Sequence, residues 1–281
     1  MTRLTSELIR SIKDDLVFYD SEILRKTGFS LRQLACRAAG VGEAEASRSL
    51  AAALVGVVPV TSGEGMIEGF CESVASIVSH LGATSFITGS SDIAGLAEAI
   101  ERAAGVVFLA DDDRFIALNL FSRSVVDNSE ATAKGYVAAL EALTGGLKDR
   151  PVLVLGAGQV GGRVLDALRE SGARASVFDP DPKKIRGLGT GTGIAVEDDL
   201  ESALNKHSIL VNASPAAGVI RERHIKPDTF IAAPGLPLGL CPGALVIVGD
   251  RLIHDPLQIG VATMLILAVM GGEKKGKKCG L

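Results

Sequence analysis

The segment VLVLGAGQVGG, residues 152–162, constrains this chain more than any other stretch. An apolar strand over 152–155 stops at Gly156, and Gly156, Gly158 and Gly161 follow in a GxGxxG rhythm, ahead of a helix expected over 160–170. Each glycine of such a loop has its own reason. The first turns the chain tightly, the second lets a pyrophosphate reach the backbone, and the third lets helix and strand pack closely. The helix start, with Gln159 just ahead of it and Val160 opening it, offers unpaired N–H groups and the positive end of a dipole to phosphate. A glycine-rich turn alone is a common strand–helix connection, so its context decides. Here RASVFD closes a second strand (174–178) on Asp179, about 20 residues on, where the ribose-binding acid of a dinucleotide site belongs. A carboxylate there accepts from both ribose hydroxyls and repels a 2′-phosphate, which points to NAD over NADP; Lys183 and Lys184 soften that preference. The run GLGTGTG (187–193) precedes a strand instead of opening a helix and reads as a loop.

Because the fingerprint starts only after residue 150, the first half is expected to supply the substrate side of a cleft between two domains. Leu8, Ile12, Leu16 and Tyr19 predict an amphipathic helix over 5–19, with further helical pattern to about residue 49. A strand is expected over 55–60, then a turn (61–65) opening a helix that runs to about residue 81. Strands over 85–89 and 105–113 flank a helix at 95–104, an alternation that predicts a parallel sheet. A long helix over 129–147 stops at Gly145 and Gly146. In the second half, later strands are expected at 194–196, 209–213, 230–233 and 245–248. The expected class is α/β: an N-terminal α/β substrate domain (1–148) with a helical lead, a Rossmann dinucleotide-binding domain with a C-terminal helix (149–270), and a disordered basic tail (271–281).

Composition narrows the function classes. A formal net charge of −4 recruits neither nucleic acid nor an anionic membrane, and without tryptophan the chain has few platforms for stacking bases. The longest apolar run, 261–270, is too short to span a bilayer, and the charged N-terminus lacks a signal-peptide core. The four cysteines form no CxxC pair, so neither a zinc site nor a disulfide framework is signalled. A cytoplasmic protein with no metal and a small-molecule substrate is the reading that follows.

Several stretches carry candidate site residues. In ADDDRF, Asp111, Asp112 and Asp113 end an apolar strand, where open α/β sheets place ligands; a carboxylate there can hold a cationic substrate group or simply cap a turn. In VTSGEG, Ser62 with the expected helix start behind it can hold a substrate carboxylate, or serve only as an N-cap. Ala213, Ser214 and Pro215 end a strand in VNASPAAG and fit beside the nicotinamide ribose, and Pro234 and Gly235 in APGLPLGL fit a stiff loop facing the nicotinamide; both can equally be plain turns. The histidines form no constellation; His80 reads as structural, and His254 is the one worth testing. Cys71 reads as a small buried hydrophobe.

The stretches VGVVPVTSGEGMIEGFCES, SFITG, LADDDRFIALNL and VLVLGAGQVG, followed by ASPAAGVI, PGLPLGL and DPLQIGVATML, together resemble the PylD family, whose members complete pyrrolysine. The resemblance runs collinearly from about residue 4 to 270. It implies an NAD-dependent oxidation of the terminal amine of lysine carrying 3-methyl-D-ornithine on its ε-nitrogen, ammonia release, and closure of the pyrroline ring with loss of water. It also implies a homodimer and a first helix that closes over substrate. By resemblance, Leu4, Ser62, Phe70, Asp111 and Asn128 contact the substrate, with Asp111 in the catalytic role, and the glycine loop and Asp179 hold NAD. Glu68 and Cys71 depart from the family pattern, as does the alanine-rich segment 36–53. Competing readings are another two-domain NAD(P) enzyme, of the shikimate dehydrogenase or ornithine cyclodeaminase kind, and a non-catalytic NAD-binding protein. No lysine–aspartate pair is spaced as in the shikimate enzymes.

Overall fold

A computed structural model describes residues 4–63, 65–186, 188 and 193–275. The chain opens with four helices, α1 (Ser6–Ile9), α2 (Ile12–Thr27), α3 (Leu31–Ala39) and α4 (Glu43–Ala51). There follow β1 (Leu54–Val58), α5 (Phe70–His80), β2 (Thr84–Ile87), α6 (Asp92–Glu101), β3 (Val106–Ala110), β4 (Phe115–Asn119), β5 (Ser124–Asp127) and α7 (Asn128–Thr144). The second half comprises β6 (Pro151–Leu155), α8 (Gln159–Glu170), β7 (Arg174–Phe178), α9 (Pro182–Arg186), β8 (Ala195–Val196), α10 (Leu200–Lys206), β9 (Ile209–Asn212), β10 (Phe230–Ala232), α11 (Pro242–Val248), β11 (Leu252–Ile253) and α12 (Gln258–Lys275).

The second sheet, in the order β11-β10-β9-β6-β7-β8, is parallel throughout. Strand order reverses between β6 and β9, the switch point where a doubly wound sheet opens a crevice at its carboxyl edge. The first sheet is mixed, in the order β2-β1-β3-β4-β5. Strands β1, β2 and β3 are parallel, but β4 and β5 run antiparallel, so the expectation of a parallel sheet fails for its last two strands. The alternation that marks β4 is visible in its burial: Phe115, Ala117 and Asn119 point inward and Ile116 and Leu118 less so.

Four further expectations change. The helix expected over 5–19 is broken at Arg10 and Ser11 and then continues to Thr27. The turn after β1 does not open a helix; α5 starts only at Phe70, behind Gly69 and well past Ser62. The strand expected over 245–248 is the end of α11, where Ala244 and Val248, four apart, are buried while Val246 is exposed; Pro242 in its first turn has the preset φ that a helix start accepts. Residues 271–275, expected in a disordered tail, belong to α12, whereas 276–281 lie outside the described residues. Most of the loop expected at 187–193 lies outside them as well.

Helix α12 leaves the second sheet and packs against α7, α3, β4 and β5 of the first half, so one apolar cluster runs through both halves. The contact of α7 with α12 is close because of Gly135. A Cβ there would lie 2.5 Å from Ile259 Cγ2 and 2.6 Å from Thr263 Oγ1. Gly135→Ala is therefore expected to destabilise the fold by about 1–3 kcal/mol, outweighing the roughly 1 kcal/mol of helix propensity that alanine adds; a lower denaturant midpoint checks it. No helix among the described residues is long and apolar enough to cross a membrane.

Candidate active site

The carboxyl ends of both sheets meet at one cavity of about 440 Å³, within the range of small-molecule sites. From the first sheet come Val58 at the end of β1 and Ala110 and Asp111 at the end of β3. From the second come Ala213 after β9, Pro234 and Gly235 after β10, and Asp255 after β11. Helices α7 and α12 close the floor with Asn128, Tyr136 and Gly260.

All five residues expected to meet substrate line this cavity: Leu4, Ser62, Phe70, Asp111 and Asn128. Each arrives by a different route. Leu4 precedes α1 and lies on the cavity wall, and Ser62 is exposed on the long β1–α5 loop. That loop is tied down where Asp92 accepts from the Thr61 backbone N–H at 2.8 Å and from its hydroxyl at 2.6 Å. Phe70 opens α5 and meets Phe115 edge-on, with ring centroids 5.2 Å apart, forming an apolar wall. Asn128 is the first residue of α7, positioned by Asp127, whose carboxylate accepts from the Ser129 N–H at 2.9 Å and caps the helix.

Asp111 serves the turn, one of the two readings raised for it. Its Oδ1 accepts from the backbone N–H groups of Asp113 (2.9 Å) and Arg114 (2.7 Å), building the β3–β4 turn, while the residue also lines the cavity. Cys71 lines the cavity too, with its thiol pushed up to about 11 by burial and by the charge of Glu72, so it is protonated at neutral pH.

The glycine loop lies at the switch point. Gly156 has φ +97°, and a Cβ on it would sit 3.0 Å from the Ala213 backbone. A Cβ on Gly161 would sit 1.9 Å from the Gly156 carbonyl oxygen, whereas one on Gly158 would meet nothing within 4 Å. The first and third glycines therefore serve the chain's own packing, and the second leaves an open approach to the backbone at the start of α8. That is the cradle a pyrophosphate needs, and these residues fit a dinucleotide. Gln159 is exposed beside Gly158, and Val160 reaches the cavity. The two loops expected near the nicotinamide brace one another: the Gly235 N–H donates to the Asn212 carbonyl at 2.9 Å, and a Cβ on Gly235 would meet the Ser214 carbonyl oxygen at 2.5 Å. Pro215 is exposed on the first of them, and neither Ser214 nor Pro215 is among the cavity's lining residues.

Asp179 follows β7 and is more enclosed than a bare ribose ligand, with its side chain 4% exposed. Its Oδ2 accepts from the Ala157 N–H at 2.8 Å and its Oδ1 from the Asp181 N–H at 2.9 Å, so it holds the glycine loop in shape. Lys184 Nζ stands 3.8 Å from Oδ2, while Lys183 donates its backbone N–H to Asp181 at 2.9 Å.

Sequence reasoning misses Asp255. Only 4% exposed, it accepts from the hydroxyls of Tyr19 (2.8 Å) and Tyr136 (3.1 Å) on Oδ2, and from the N–H groups of Leu257 (3.0 Å) and Ile259 (3.2 Å) on Oδ1. Burial pushes its carboxyl up, against the hydrogen bonds from Tyr19 and Ile259 and the charge of His254, while burial and Asp255 together hold both tyrosines far above their usual range. His254 itself bonds the Ala233 carbonyl through Nδ1 at 2.7 Å, and His80 bonds Asp20 at 2.8 Å. The signal that could find Asp255 is DPLQ, an acid just ahead of a helix start. Among the described residues no group of three or more His, Cys, Asp or Glu is placed to hold a metal ion.

The family described as pyrrolysine biosynthesis protein PylD, N-terminal domain, matches residues 8–126. The pyrrolysine synthase of Methanosarcina acetivorans is 31% identical over 266 residues, covering 94% of this chain and 98% of that protein. That of Methanosarcina barkeri is also 31% identical over 266 residues, covering 94% and 97%. Among solved structures, shikimate dehydrogenase from Aquifex aeolicus superposes with a TM-score of 0.55 at 15% identity, over 78% of this chain and 91% of its own, which is a likeness of fold.

Proposed function

This chain belongs to the pyrrolysine synthase family, and from that premise we propose that it oxidises the terminal amine of lysine-Nε-3-methyl-D-ornithine with NAD and closes the product to pyrrolysine. The observation that carries the reading is the single cavity joining the carboxyl edges of both sheets, with Leu4, Ser62, Phe70, Asp111 and Asn128 on its wall. Shikimate-type chemistry is less well supported, because no lysine is among the described residues that line the cavity.

In this reading Gly156, Gly158 and Gly161 receive the pyrophosphate with Gln159 and Val160, Asp179 meets the ribose, and Ala213, Pro234 and Gly235 border the nicotinamide, with Ser214 and Pro215 bracing that loop from outside the cavity lining. NAD, when bound, supplies the two-electron acceptor. The chain's own residues orient the substrate and exclude water. Phe70 and Phe115 flank the aliphatic stem, Ser62 and Asn128 meet its polar groups, and Leu4 covers the mouth. Asp111, with Oδ1 committed to the turn, turns its other oxygen to a substrate ammonium. Loss of two electrons makes the terminal C–N bond an imine, and water then replaces nitrogen to give the aldehyde and ammonia. Attack by the ornithine α-amine and loss of water close the ring. In this reading the acting species is a homodimer, as the resemblance implies.

The test is to mix the protein with NAD and the synthetic amide. NADH absorbance rising together with a product of the pyrroline mass is the expected result; bound NAD with no NADH overturns the reading. Asp111→Asn keeps Oδ1 as the turn's acceptor and removes only charge. It is expected to raise KM for the amide about 10- to 100-fold, the worth of one hydrogen bond to a charged group, with NAD affinity unchanged in calorimetry.

A further inference from the structure

Residues Tyr136 and Asp255 stand where the proposed oxidation has its reacting carbon, yet that reading gives them no role. The carbon that loses electrons has to lie at the end of the cavity bordered by Pro234 and Gly235. Asp255 is at that end. Strand β11 pairs with β10 in the register Ala232↔Ile253, the Ala233 N–H donates to the Ile253 carbonyl at 2.8 Å, and Asp255 follows two residues later. Asp111, by contrast, stands on the β3–β4 turn of the other sheet. Tyr136 and Asp255 both line the cavity, and Tyr136 is 1% exposed to solvent.

Their hydrogen bonds form a directed pair. Tyr136 Oη shares its one proton between the Asp255 carbonyl oxygen (2.8 Å) and Oδ2 (3.1 Å), and accepts the Asp255 N–H at 2.9 Å. A phenol has a second lone pair. Asp255 is meanwhile held rigidly by Tyr19 on α2 and by the start of α12.

We infer that Tyr136, backed by Asp255, is the general base and then the general acid of imine hydrolysis. In the first step the oxygen of a water bonds to the iminium carbon, and the C=N π pair moves to nitrogen. The water's proton passes to Tyr136 Oη as the Tyr136 proton moves to Asp255 Oδ2, giving a neutral carbinolamine and a neutral Asp255. In the second step the proton returns by the same path to the carbinolamine nitrogen. The C–N bond then breaks, its pair leaves on ammonia, and the remaining hydroxyl proton is taken up by that ammonia. The sum is iminium plus water to aldehyde plus ammonium, with Asp255 again a carboxylate. Burial favours the protonated intermediate state of Asp255, and the hydrogen bonds that fix it favour its return. Tyr136 is the catalytic residue, and Asp255 is a positioning residue that acts through it.

The inference rests on the proposed reaction, and one experiment separates their failures. Full-length protein is mixed with NAD and the lysine–methylornithine amide, and NADH and ammonia are followed through a single turnover, with samples quenched in borodeuteride. For Tyr136→Phe the expected result is NADH formation within about threefold of the parent and ammonia release slowed about 100-fold, the typical worth of a general base. The accumulated imine is trapped as monodeuterated starting amide, seen by mass spectrometry. Thr263→Val removes the buried hydroxyl bonded to the Ile259 carbonyl, at a residue of α12 outside the cavity lining, and is expected to trap no imine. Absence of NADH in the parent protein overturns the proposed function. NADH and ammonia slowing together in Tyr136→Phe, or imine trapped equally in Thr263→Val, overturns the inference alone. Should Tyr136→Phe not fold, the parent protein in heavy water decides: slower ammonia release with unchanged NADH formation supports the inference, and an equal response of both overturns it.

Discussion

Gly161→Ala is expected to cost about 3 kcal/mol of stability and to weaken NAD binding by about 100-fold or more, whereas Gly158→Ala folds with near-parent stability and loses only NAD. The two positions differ in what a methyl group meets. At Gly161 it would stand 1.9 Å from the Gly156 carbonyl oxygen, a backbone atom that moves only if the whole turn moves. At Gly158 nothing lies within 4 Å and φ is −73°, a value any residue adopts. Alanine there obstructs only what approaches from outside. Thermal unfolding of both variants, with NAD titrated by calorimetry, gives the comparison. Parent-like NAD affinity in Gly158→Ala would mean that the pyrophosphate does not reach this loop.

Asp179→Ala is expected to weaken NAD about 10- to 100-fold and NADP much less, and to lower stability by about 1–3 kcal/mol. The second effect follows from the structure, because the Ala157 N–H that Asp179 accepts is left without a partner inside a buried turn. A carboxylate facing the ribose attracts its hydroxyls and repels a 2′-phosphate, so the ratio of the two affinities isolates that contact from the damage to the loop. Lys184, 3.8 Å from the same oxygen, moderates the discrimination, and Lys184→Ala should sharpen it. Equal losses of NAD and NADP would leave Asp179 as a loop brace alone.

The second half of the fold is more legible in the sequence than the first. Strand 174–178 and the helix after the glycine loop both follow from local chemistry: apolar runs bounded by glycine and acid. The β4–β5 hairpin is hidden because its entry, Asp111 to Arg114, also suits ligand chemistry, and a turn uses the same aspartate oxygens. Residues 245–248 are β-branched enough for a strand, yet only their packing four apart with Ala244 makes them helical. The wall residues Leu4, Ser62, Phe70, Asp111 and Asn128 are located by resemblance, since nothing in their spacing brings five separate segments to one cavity.

By itself the sequence determined the strand–turn–helix around Gly156–Gly161, the acid that ends the next strand, and the family. These signals are contiguous, and each depends on contacts between residues close along the chain. Only the tertiary structure decided that both sheets empty into one cavity and that α12 returns to the first half. It alone assembled the buried group at Asp255, whose partners Tyr19 and Tyr136 lie 236 and 119 positions away. A carboxylate's chemistry is set by what surrounds it, and here the surroundings come from three helices that meet only after the chain has folded.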